Sequence, residues 1–207
     1  MSQRAVRMAV PAVAAVAALL AGCARLPVAG APSAEERFAN AYIELLPVGA
    51  LMDHSAANDP RWPLGDKADL LSDRQMVCMR QALTSNEVDA AQRQLAQAYA
   101  QAHPDTLAAD LDVLEGGAAR LIGQAMRQGA GLRVAERPPT ADEARALAAF
   151  ATDARYANLR QATGLERLAG GAPAAANQRG KDISNVLTVK FLTDAFLRCH
   201  IPVKLLY

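Results

Sequence analysis

Three histidines, three cysteines and 21 acidic residues are the side chains of this 207-residue sequence most able to do chemistry. His54, His103 and His200 lie far apart. None belongs to a His-Glu-x-x-His or similar spacing that would place two metal ligands on one helical turn. His54 is flanked by Asp53 and Ser55, but neighbours in sequence do not make a catalytic triad, whose geometry is assembled in space. His103 precedes Pro104 and reads as a helix-boundary residue, whereas His200 could pair with Cys199 on a metal only if that thiol is free. The acids Asp110 with Asp112, and Asp142 with Glu143, fall beside helix starts or on polar faces, where the helix dipole favours carboxylates. Glu115 borders Gly116-Gly117, and glycosidase chemistry there would need a second acid across a cleft. A Gly-x-Ser-x-Gly elbow, a phosphate-cradling glycine loop with lysine and a dinucleotide fingerprint are absent from the sequence. These residues predict no catalytic constellation, no cofactor and no metal site.

The first 23 residues carry a different chemistry. Arg4 and Arg7 form a basic n-region, Met8 to Leu20 an apolar h-region, and a small-residue pair leads into Cys23. The apolar run is short and rich in alanine for a permanent membrane span. Leu20-Ala21-Gly22-Cys23 resembles the lipobox of bacterial lipoproteins. That resemblance implies removal of residues 1–22 as a signal peptide and acylation of the Cys23 thiol and its new amino group, palmitate-type chains included. Several acyl chains, each burying CH₂ groups at about 0.8 kcal/mol, anchor stably where one is marginal. Ala24, in place of the aspartate used for inner-membrane retention, implies sorting to the outer membrane. Two other readings stay open. One is a plain secretory signal cut at an Ala-x-Ala-like site near Ala21 and Cys23. The other is an uncleaved anchor, against which Pro11 and the short run weigh.

In an exported chain the remaining pair, Cys78 and Cys199, predicts a structural disulfide. No Cys-x-x-Cys spacing points to a redox-active site, and the alternative is two buried thiols acting as small hydrophobes. Without residues 1–22 about 185 residues remain, the length of one domain. Lys and Arg number 22 against 21 Asp and Glu. The leader holds two arginines and no acid, so the remainder carries about one net negative charge. Cations are dispersed, which argues against nucleic acid as a partner. Hydrophobic residues reach 52%, largely alanine, with only 4% aromatic; a composition led by the best helix former points to helices.

Residues 23–32, with two prolines and a glycine, read as a tether, and residues 33–207 as the folded domain. Ser33 with Glu36, Thr84 with Glu87 and Thr140 with Glu143 are capping boxes. Phe38, Tyr42, Leu45 and Leu46 form one helical face, closed by Pro47. Residues 53–66 read as a loop in which Trp62 is an anchor tucking it onto the body in preference to a ligand-stacking platform, and a helix follows to Leu83 with Cys78 near its middle. Val88 to Ala102 and Leu107 to Met126 form two further stripes, the second interrupted by Gly116-Gly117. Either the helix bends at that pair or another helix packs against it. After Leu147 and Phe150 a break is expected around Thr152 to Ala154. Gly170-Gly171-Ala172-Pro173 opens a linker, and Ile183, Leu187, Phe191, Ala195 and Cys199 recur at intervals of four. The chain is therefore predicted to be all-α, a single compact bundle of about five to seven helices with one disulfide.

Thr140-x-x-Glu143-x-x-x-Leu147-x-x-Phe150 resembles a motif in a family of small helical exported proteins of unknown function. The resemblance covers about thirty residues and implies a fold but no activity. The expected function is a non-catalytic module, lipid-anchored at the outer membrane, facing the periplasm and binding an envelope protein. Trp62 and Arg61 in the loop and Arg179 in the linker are the candidate partner contacts, because exposed loops carry recognition more often than helical faces. The alternative is a small apolar or envelope-derived ligand held between helices by Leu114, Gly116, Gly117, Ile122 and Met126.

Overall fold

Ser33 and Glu36 open the first helix of the computed structural model, which describes residues 31–135, 137–166, 189–202 and 204. The Ser33 hydroxyl accepts the Glu36 N–H at 3.1 Å, and the Glu36 carboxylate accepts the Ser33 N–H at 2.8 Å. The helices are α1 (Ala34–Leu45), α2 (Val48–Asn58), α3 (Asp73–Ala82), α4 (Ser85–Ala102), α5 (Leu107–Val113), α6 (Ala119–Gly129), α7 (Ala141–Thr152) and α8 (Ala157–Thr163). A further helical stretch covers 189–198, and no strand occurs among the described residues. The fold is an all-α bundle. The chain divides into two units, Met1–Pro32 and Ser33–Tyr207. Residues 1–30 with Cys23, residues 167–188 with Arg179, and residues 205–207 lie outside the described residues.

α1 is the central strut. It buries Phe38, Ala39, Ala41, Tyr42 and Leu45, and it runs antiparallel to α4. Phe38 stacks on Tyr99 near the end of α4 with ring centroids 5.4 Å apart, while the Leu46 carbonyl accepts from Gln92 Nε2 at 2.8 Å, nearer its start. On the other side α6 approaches closely, since a Cβ at Gly123 would lie 1.9 Å from the Glu44 carbonyl oxygen.

Pro47 ends α1 as its fixed φ and missing N–H predict, but it also caps a second helix. Residues 53–58, expected in a loop, belong to α2; no breaker interrupts them before Pro60, and Met52 is buried beneath. Asp53 supplies the reason the helix is useful there. Its carboxylate accepts the Ser85 N–H at 3.0 Å, at the start of α4. The expected capping box at that start does not form. Thr84 Oγ1 turns back to donate to the Gln81 carbonyl at 3.1 Å, and Glu87 reaches Arg198 instead. The boxes at Ser72–Gln75 and Thr140–Glu143 are both intact.

At the glycine pair both alternatives hold at once. The helix is broken into α5, a π-helical turn over Leu114–Ala118, and α6, with Gly117 at φ 126°, and α7 packs against that turn. The break expected near Thr152 to Ala154 is a 3-10 turn, Ala154–Tyr156, leading into α8. Arg160, buried in α8, closes the end of α7 by donating Nη1 to the carbonyls of Phe150 at 2.6 Å and Asp153 at 2.8 Å. Cys78 and Cys199 are joined by a disulfide with a Cα–Cα distance of 5.8 Å. It ties the 189–198 helix to α3, with Phe191, Ala195, Phe196 and Cys199 buried. Ile183 and Leu187 of the same predicted stripe lie outside the described residues.

Candidate functional site

The glycine pair was the expected ligand opening, and the bundle closes it. A Cβ on Gly117 would lie 2.5 Å from Glu143 Cγ, and one on Gly116 would lie 3.3 Å from the Ala146 Cβ. The N-terminal turn of α7 therefore fills the position a ligand would take beside Gly117. Leu114 and Ile122 are buried in the core, and Met126 is half-buried against it. Glu143 is held there by four donors. Arg120 Nε lies at 2.8 Å, Arg137 Nη1 and Nη2 at 3.0 and 2.5 Å, and the Thr140 N–H at 2.8 Å. The Arg120 hydrogen bond, then that of Arg137 and the Thr140 amide, hold its carboxyl well below the usual carboxylate range. Glu115 is exposed and paired in bidentate fashion with Arg37, so no buried acid sits at this turn. Gly116-Gly117 is a packing contact, which corrects the ligand reading at these residues.

One carboxylate expected on a polar face is buried. Asp110 accepts from the Tyr99 hydroxyl and the Thr106 hydroxyl, each at 2.9 Å, and is only 1% exposed. Its Oδ1 has no hydrogen-bond partner among the described residues. Tyr99 lies between Phe38 and His103, whose ring stacks on it at 4.2 Å. Burial first, and then the Asp110 hydrogen bond, raise the Tyr99 hydroxyl pKa. The sequence signal was available: Asp110 falls within the inward stripe of Leu107, Leu111 and Leu114, and a buried tyrosine tip needs an acceptor. The cluster ties α4 to α5. His54, by contrast, contacts Asn58 one turn along α2, and His200 is exposed at φ 54°. Among the described residues no group of three or more His, Cys, Asp and Glu side chains is placed to hold a metal ion.

The Trp62 loop is fastened to the body. Trp62 is half-buried against the core, and Arg80 of α3 donates to the Trp62 carbonyl at 3.3 Å and to that of Pro60. Arg61 is engaged inside the loop region, with Asp69 at 2.6 Å and Asp66 at 3.3 Å. Trp62 thus anchors the loop, while the Arg61 side chain stays 45% exposed. Arg179 lies outside the described residues.

The free apolar surface lies on another layer. Leu70 (63%), Val77 (55%), Val189 (50%) and Leu197 (61%) are the exposed large apolar side chains among the described residues. All four lie on the 3-10 turn Gly65–Leu70, on α3 or on the 189–198 helix. The disulfide joins the last two. This layer covers the first turns of α4, where Glu87, Val88 and Ala91 face Phe191, Asp194, Ala195, Leu197 and Arg198 across an open cleft of about 370 Å³. The opposite end of α4 meets Phe38 in the second turn of α1. The cleft is thus at the other end of α4 from Phe38. Sequence reasoning missed Val189 and Leu197 because the last stripe was read only for its inward face. A helix apolar on more than one side was the available signal.

No protein-family model, curated protein or solved structure matches this chain.

Proposed function

We propose that the protein is a lipid-anchored module of the bacterial cell envelope that acts by docking a protein partner, not by catalysis. The lipobox-like tetrad ending in Cys23 supports attachment to a membrane, and Ala24 supports the outer membrane, facing the periplasm. One observation supports docking above all. The large apolar side chains left exposed among the described residues, Leu70, Val77, Val189 and Leu197, sit on the 3-10 turn Gly65–Leu70, on α3 and on the 189–198 helix, and the disulfide joins the last two. Apolar patches rimmed by polar residues mark interaction sites more often than chance exposure does.

The test is site-specific photocrosslinking in cells with the full-length chain. Probes replace Leu197 or Val77 on the layer and Asp142 on the exposed start of α7. A discrete protein adduct from Leu197 and Val77, and none from Asp142, supports the reading. Adducts of equal yield from all three positions, or none, overturn it. Incorporation of a labelled fatty acid, lost on Cys23→Ser, tests the anchor separately.

A further inference from the structure

We draw no further inference here: the strongest candidate, the exposed apolar surface of Leu70, Val77, Val189 and Leu197 on the 3-10 turn Gly65–Leu70, α3 and the 189–198 helix, already belongs to the docking reading, and nothing in the structure shows what covers it.

Discussion

Gly117 and Gly123 show how one missing Cβ can set the distance between helices. At Gly117 the backbone has φ 126° and Glu143 lies against it, so Gly117→Ala adds strain and displaces the Glu143 carboxylate from its two arginines. The expected loss is about 1–3 kcal/mol. Gly123→Ala meets a backbone oxygen that cannot swing aside, 1.9 Å from the new carbon, and should cost at least as much, about 3 kcal/mol. Gly129 has open space around it, so Gly129→Ala should change the denaturation midpoint little. Urea midpoints at constant m-value distinguish the three. Glu143 adds a pH dependence. Its folded pKa is lowered from an ordinary value of 4.5, so the folded state binds fewer protons than the unfolded chain in the acid range. The stability it contributes is present above about pH 4.5 and is lost as pH falls toward the folded value. Glu143→Gln should flatten the acid limb of the stability curve; an unchanged limb would show that other carboxylates govern it.

Among the elements, the start of α4 separates local signal from tertiary substitution. Thr84 has the right type and spacing for a cap, yet its hydroxyl donates to Gln81 and the Ser85 amide is taken by Asp53 from α2. A side chain from another helix does the capping because Asp53 is already placed there by the α2–α4 contact. Gly49 permits that contact, since a Cβ there would lie 2.9 Å from Ser85 Cα. Asp53→Ala should therefore destabilise the protein by about 1 kcal/mol, the usual cost of a lost cap, and Thr84→Ala by only a few tenths. Thermal unfolding of the two variants reads this directly, and the reverse order would restore the local cap.

For the whole molecule, the disulfide decides whether the last helix and the body behave as one. Cys78 and Cys199 are 121 residues apart, and closing so long a loop is worth about 4–5 kcal/mol in the chain-entropy model. The double variant Cys78→Ser with Cys199→Ser should lose much of that. Protection against hydrogen exchange should fall first in 189–198, whose attachment otherwise rests on Phe191, Ala195, Phe196 and the Glu87–Arg198 pair. Equal loss of protection in α1 would show that the helix and the core unfold together.

The sequence by itself determined the helical class, the stripes that became α1, α4 and the 189–198 helix, two capping boxes and the pairing of Cys78 with Cys199. These depend on local periodicity, on cap chemistry and on counting cysteines in a chain read as exported. Tertiary structure decided which helix caps α4, that Asp110 is buried under Tyr99 and not solvated, and that Glu143 occupies the space at Gly117. It also decided that Trp62 is held against the body while Val189 and Leu197 are left exposed. Each of those outcomes turns on where two helices distant in sequence come together. Periodicity assigns a residue to a face, but only the packed neighbour decides whether that face is covered.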